Sequence, residues 1–218
     1  MTYSGKLVGV LIGLCCATAL SAESLDFDLR GFGGSIGSMT VTTGAVNAVD
    51  AVTDGMPLDA FNGTFKAERR GDAYVADRIS AKGDRRLIEI GFAGQSVADV
   101  SVDPAEDRTE FSVPAAVDEP VVSPMEVLAA AMSAQICGKT LTFYDGRRIV
   151  DLEMQGATRV GDEGFVCSGR YHIRRGPGHG SILNIRNLPM TLHFPSATAP
   201  VSSIETRLMG FGLFAERK

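Results

Sequence analysis

Three histidines, His172, His179 and His193, are the side chains of this 218-residue chain whose ordinary pKa suits proton transfer near neutrality. His179 stands inside Gly176-Pro177-Gly178-His179-Gly180, a loop sequence, and loops on a rigid scaffold are where binding groups concentrate. His172 falls on a strand pattern, where an ordinary surface or part-buried residue is the plainer reading. No Gly-x-Ser-x-Gly turn accompanies them, so a serine hydrolase would lack its nucleophile elbow. Asp145-Gly146-Arg147-Arg148 is the most specific local motif. Structurally it reads as a type I′ turn whose arginines pair with carboxylates such as Asp151. Functionally it reads as an anion-recognising corner, because the planar guanidinium fork matches oxyanions. Asp145, Arg147, Arg148 and His179 are therefore the candidate binding residues, and no catalytic residue is assigned. Gly138-Lys139-Thr140 looks like the end of a phosphate-binding loop, but Ser133 stands at the place of its first glycine and helix precedes strand, the reverse of that motif. No cofactor is implied.

These residues must be read in the right compartment, and the first 22 residues set it. Lys6 closes a short basic head, and Leu7 to Leu20 is uncharged and shorter than the roughly 20 apolar residues a bilayer crossing needs. Ser21-Ala22 offers small residues for cleavage. The expectation is a signal peptide over 1–22 and one periplasmic domain over 23–218, with no membrane span after cleavage. Cys15 and Cys16 leave with the leader, so Cys137 and Cys167 remain, and in an oxidising compartment such a pair is joined. The bridge should contribute roughly 3 to 4 kcal/mol by the chain-entropy model. A metal site using His172 or His179 lacks the close ligand spacing such sites have, and no metal is expected. A net charge of −5 without a basic stripe speaks against nucleic acid, and no dense Lys/Arg cluster suggests docking to anionic lipid. The pairs Arg69-Arg70, Arg85-Arg86, Arg147-Arg148 and Arg174-Arg175 read as solvated turn and edge charge that discourages strand pairing between molecules.

Period-2 alternation broken by glycine and charged turns dominates after residue 24, the mark of antiparallel strands. Leu25-Phe27-Leu29, Ile36 to Thr43, Phe61 to Glu68, Ala73 to Ile79 and Arg86 to Phe92 read as a meander. Asp103 to Pro120 is rich in Pro, Asp and Glu and reads as a long surface excursion. Ser123 then caps a helix with Pro124 at its first position and Glu126 at capping-box distance. Val127, Leu128, Ala131, Met132 and Ile136 form its apolar stripe, and Gly138 ends it. Lys139 to Tyr144 and Arg148 to Met154 form a hairpin across Asp145-Gly146. Phe165 to Arg174 follows as a strand, Ile182 to Phe194 as a strand broken at Pro189, and Val201 to Phe214 as a last strand.

The central block, Ser123-Pro124-Met125-Glu126-Val127-Leu128, Cys137, Phe143-Tyr144-Asp145-Gly146-Arg147-Arg148, Asp151-Leu152, and Cys167 with Tyr171, resembles the exported bacterial family of domain of unknown function 3108. Weaker similarity extends back through Arg85 to Ile90, and the residues after Arg175 fit poorly. The resemblance implies a periplasmic, mostly antiparallel β protein with one packed helix, and brings no established activity or catalytic residues.

The fold class expected is mainly β with one helix (α+β), a curved antiparallel sheet or half-open barrel over the amphipathic helix Pro124 to Ile136. A concave sheet under one helix is a shape that holds an apolar ligand between layers. The functional expectation is thus a non-catalytic periplasmic binding or carrier protein for a lipid, another hydrophobic ligand or an envelope component. If side chains fill that space, the alternative is a structural or protein-interaction module of the cell envelope.

Overall fold

The computed structural model describes residues 22–57, 59–161, 164–179 and 183–218. Apart from Ala22, the leader expected over 1–22 lies outside the described residues. Seven strands come first: β1 Glu23–Gly31, β2 Gly34–Thr43, β3 Asn47–Thr53, β4 Gly63–Arg70, β5 Ala73–Ser80, β6 Arg85–Ala93 and β7 Ser96–Asp103. A strap, 104–120, then leads to the helix α1 (Pro124–Ala131). After it run β8 Thr140–Tyr144, β9 Ile149–Met154, β10 Thr158–Val160, β11 Gly164–Arg175, β12 Asn187–Phe194, β13 Ser203–Leu208 and β14 Phe211–Arg217. Every ladder is antiparallel, and the strands follow the order β7-β6-β5-β4-β3-β2-β1-β14-β13-β12-β11-β9-β8, with β10 on β11.

The sheet curls without closing on itself. Between its two ends passes the short run Val121-Val122: the Val121 N–H donates to Gln95 O at 2.8 Å, the Val122 N–H to Thr142 O at 3.0 Å, and Tyr144 donates back to Val122 O at 3.1 Å. A linker thus fills the seam that a ladder would fill in a closed barrel. Strand alternation puts Phe27, Val41, Tyr74, Ile90, Leu152 and Leu192 on one buried face, and α1 adds Met125, Val127 and Ala131 to the same core.

The helix begins as its sequence demands. Ser123 Oγ accepts the Glu126 N–H at 3.3 Å, and Glu126 Oε2 accepts the Ser123 N–H at 2.8 Å. It ends sooner than the apolar stripe suggests. Ser133 adopts extended backbone and bridges Pro200, Val201 donates to Met132 O at 3.0 Å, and Ala134–Ile136 continues only as a 3-10 turn. Pairing with the 200–201 segment wins over helix propensity. Met132 and Ile136 are buried all the same. Cys137 and Cys167 are joined, with Cα atoms 5.6 Å apart, tying the end of the helical segment to β11.

Two strand expectations need correction. β12 runs through Pro189 unbroken, in register with Arg170. The last strand is in fact the hairpin β13–β14, turning at Met209-Gly210.

Candidate functional site

The strap is held along the sheet seam by the turn between β8 and β9. The Ser112 hydroxyl donates to Gly146 O at 2.9 Å, the Thr109 hydroxyl to Arg147 O at 3.1 Å, and the Tyr144 hydroxyl to Phe111 O at 2.5 Å. Near its other end, Asp118 meets Arg175 at 2.7 Å and Glu119 meets Arg174 at 2.8 Å. Gly146 takes φ +91°, and a Cβ there would collide with Ile88 of β6, so the turn requires glycine for its conformation and for its close approach. Asp145 Oδ1 accepts the Arg147 N–H at 3.0 Å, and the Asp145 N–H donates to Arg148 O at 3.2 Å. Arg147 keeps a negative φ, so the turn has the II′ pattern rather than the expected I′, which needs positive φ at both central residues.

From this corner Arg148 reaches inward. Its Nη1 donates to His179 Nδ1 at 2.5 Å and lies 3.0 Å from Nε2, while the Tyr171 hydroxyl lies 2.6 Å from that Nε2. Asp145 Oδ2 sits 3.3 Å from Arg148 Nε. Burial, then the positive charge of Arg148, pushes His179 down to about 4, with Asp145 opposing. The imidazole is therefore uncharged near neutrality, accepting from Arg148 and sharing a hydrogen bond with Tyr171. Burial pushes the Tyr171 phenol up, and Asp145 adds to that.

Beside this trio lies a second knot of charge. Arg86 grips Asp107 of the strap with two hydrogen bonds, 2.6 Å and 2.8 Å, and holds its carboxyl below the usual carboxylate range. Arg147 Nη2 comes only to 4.0 Å from Asp107 Oδ1, on a carboxylate already occupied by Arg86. Burial lowers the Arg147 pKa, with Arg86 and Arg148 adding like-charge repulsion. Arg78 of β5 stands directly across from Arg86 in the ladder, and burial, then Arg86, lowers its pKa, with Asp107 opposing. Among the described residues, Arg147 Nε and Arg148 Nε are buried without a hydrogen-bond partner.

The structure thus brings Asp145, Arg148 and His179 into contact and sets Arg147 against them. The arginines pair with Asp107 and Asp145 instead of Asp151, which accepts from Thr142 at 2.7 Å and meets Arg174 at 3.4 Å. The reading of the arginine pairs as solvated charge fails for Arg147-Arg148 and for Arg69: only 9 % of the Arg148 side chain, 14 % of Arg147 and 14 % of Arg69 is exposed, while Arg174 and Arg175 stay at the surface. His172 lies elsewhere, 2.6 Å from Asn187. Sequence reasoning missed Arg78, Arg86, Asp107 and Tyr171. Arg86 shares its strand parity with Ile88 and Ile90, and Arg78 with Tyr74 and Ala76, so alternation alone marks both as inward-facing. Chemically, an imidazole whose two nitrogens are both engaged is suited to holding groups in place, not to taking protons from a substrate. Among the described residues, no group of three or more His, Cys, Asp or Glu side chains comes together as a metal site.

No family model matches the chain, and no curated protein does. Among solved structures it is similar to the crystal structure of a beta-barrel-like protein of domain of unknown function 1849 from Brucella abortus. That likeness has 11 % identity and a TM-score of 0.36 and covers 92 % of this chain and 96 % of that one. A likeness this loose assigns neither family nor activity.

Proposed function

We propose that this chain is an exported, single-domain, non-catalytic interaction module of the bacterial cell envelope that recognises its partner at the surface. The observation that carries the reading is the continuous buried core of the described residues. Between sheet and helix, one continuous set of buried side chains runs from Phe27 and Val41 through Ile90, Met125 and Val127 to Leu192 and Val201. Recesses open instead on the outer face, one beside Thr40, Asp50, Lys66 and Asp77, another beside Thr140, Glu153 and Arg170. A carrier for an apolar ligand needs several hundred Å³ of apolar space between its layers. Export is supported by the leader-like first 22 residues, by the Cys137–Cys167 bridge, and by the lack of any helix among the described residues long and apolar enough to cross a membrane. The central block that resembles the exported family of domain of unknown function 3108 points the same way.

Native mass spectrometry with lipid extraction, on protein purified from its own periplasm, tests this. A clean apo mass with a co-purifying protein is the expected result. A reproducibly bound lipid that occupies the interior would replace the module by the carrier.

A further inference from the structure

Two neighbouring hairpins of the sheet end alike. β1 turns into β2 through Phe32-Gly33, with φ of +52° and +85°, and β13 turns into β14 through Met209-Gly210, with φ of +54° and +86°. Two positive angles make each a type I′ turn, for which Asn-Gly is the favoured pair and a bulky side chain at the first position is an outlier. Because β1 pairs with β14, the two turns stand side by side at one end of the sheet. The Phe32 ring lies 4.9 Å from that of Phe211, while 53 % of Phe211 and 64 % of Met209 are exposed. The chain therefore holds large apolar groups in water where local stability asks for asparagine. An outlier repeated on two adjacent turns calls for a function.

We propose that these tips enter the interfacial layer of a zwitterionic phospholipid bilayer, with Phe32, Met209 and Phe211 below the headgroups and Arg30 and Arg207 level with them. The inference rests on the reading of the chain as an envelope interaction module, and names the surface it meets. Area argues against a protein partner: the three side chains together expose roughly 300 Å², against about 800 Å² per partner in a specific protein interface. A bilayer sets no such minimum, since its hold grows with whatever apolar area is buried in it. Charge argues for zwitterionic lipid. The charged side chains closest to the tips along these strands are Arg30 and Arg207, each two residues before an apolar turn residue. Carboxylates stand behind them, Glu216 at 3.0 Å from Arg30 and Glu205 at 3.8 Å from Arg207. A headgroup phosphate thus meets arginine and its amine meets carboxylate, in a recess on the outer face bordered by Arg30, Phe32 and Glu216. A net charge of −5 holds the chain off an anionic surface rather than drawing it there. Asp54, whose N–H donates to Ile36 O at 3.2 Å on the same rim, adds to that.

Co-sedimentation of protein purified from its own periplasm with vesicles of phosphatidylcholine and phosphatidylethanolamine tests the proposal. The wild type should sediment with the vesicles, and Phe32→Asn combined with Met209→Asn should lower the partition about tenfold or more. Asparagine suits both left-handed positions, so the thermal midpoint of that variant should hold or rise, which separates a lost contact from a lost fold. The chain contains no tryptophan, so Phe211→Trp reports on its own surroundings. Its emission should move to the blue with vesicles and be quenched by brominated acyl chains. Val160→Trp, on an exposed strand at the opposite end of the ladder, should show neither. Wild type left in the supernatant, an unmoved Phe211→Trp spectrum, or binding that needs phosphatidylglycerol overturns the membrane contact. So does a co-purifying protein that the asparagine variant loses without any vesicle binding by the wild type, which reassigns the tips to a protein partner. A protein retained by wild type and variant alike, beside flat vesicle binding, leaves the module standing and removes only the role of the tips.

Discussion

The two ends of the barrel interior treat buried arginine in opposite ways. Toward the helix, Arg69 of β4 is held on several sides: its Nη1 donates to Glu126 and, at 3.1 Å, to Ser123 Oγ, its Nε donates to Gly71 O at 2.8 Å, and its guanidinium lies 5.2 Å over the Phe92 ring. On β5, Tyr74 is the register partner of Arg69, and Arg78 lies four residues further, about 13 Å along the strand. There Arg147 lies 4.0 Å from the nearest carboxylate oxygen among the described residues, and its Nε is buried without a hydrogen-bond partner among them. The comparison teaches how to separate a structural charge from a candidate binding charge. The first is completed by the chain itself, whereas at Arg147 the described residues leave a buried donor unused.

The largest effect that would sharpen the contrast lies at the helix end. Removing the Cys137–Cys167 bridge by replacing both cysteines with alanine should cost about 3 to 4 kcal/mol, because the bridge closes a loop with a sequence separation of 30. Urea melts of the two proteins measure it, and a loss well below 1 kcal/mol would show that the helix end holds without its staple.

At the arginine end the next largest effect is a pH dependence. His179 titrates at about 4 in the folded protein against 6.5 as its ordinary value, so the unfolded chain takes up the proton first as pH falls. The contribution is complete above pH 6.5 and is lost on going down to about 4, by up to roughly 3 kcal/mol. Asp107, held low by Arg86, loses its contribution only further down, below the ordinary carboxylate range. Melts between pH 7 and 4.5 should show the slope in the wild type and a flatter profile in His179→Gln. Parallel profiles would mean that the imidazole is not held neutral.

Arg69→Met should then cost about 1 to 3 kcal/mol, as it strips several charge-assisted hydrogen bonds from a side chain only 14 % exposed. Thermal melts at pH 7 check it, and an unchanged midpoint would erase the distinction between the two ends.

Much of this fold is legible in the sequence because a period of two survives averaging. Leu25-Phe27-Leu29 and Arg86 to Phe92 declare their inward face at once, and both lie where expected. Ser123, Pro124 and Glu126 likewise announce the helix start, since the capping box is local chemistry. β3 carries no such signal, because Ala, Val and Asp alternate there with little contrast in size. The β13–β14 turn was hidden because Met209, at φ +54°, occupies a left-handed position that usually signals itself with Asn or Gly. The site divides in the same way. The corner Asp145 to Arg148 and the loop residue His179 follow from turn and loop chemistry. Asp107 sits in a strap without periodicity, and its meeting with Arg86 is purely tertiary.

The smallest expected effect is the one that bears hardest on the comparison. Arg147→Met removes a guanidinium that is 14 % exposed, as Arg69 is, so burial alone predicts that the two substitutions cost the same. The partners predict otherwise. Among the described residues, Arg147 has no carboxylate oxygen closer than 4.0 Å and its Nε donor is unused, and its pKa is lowered by burial and then by Arg86 and Arg148. Replacing an uncompensated charge by an apolar side chain of similar length relieves desolvation and repulsion. The turn itself survives, because Asp145 accepts the backbone N–H of residue 147 and Thr109 donates to its carbonyl whatever side chain stands there. Stability should therefore stay level or rise by up to about 1 kcal/mol in urea melts at pH 7. A loss as large as that of Arg69→Met would mean that the chain completes this charge internally after all, and the two ends of the barrel would no longer differ in kind.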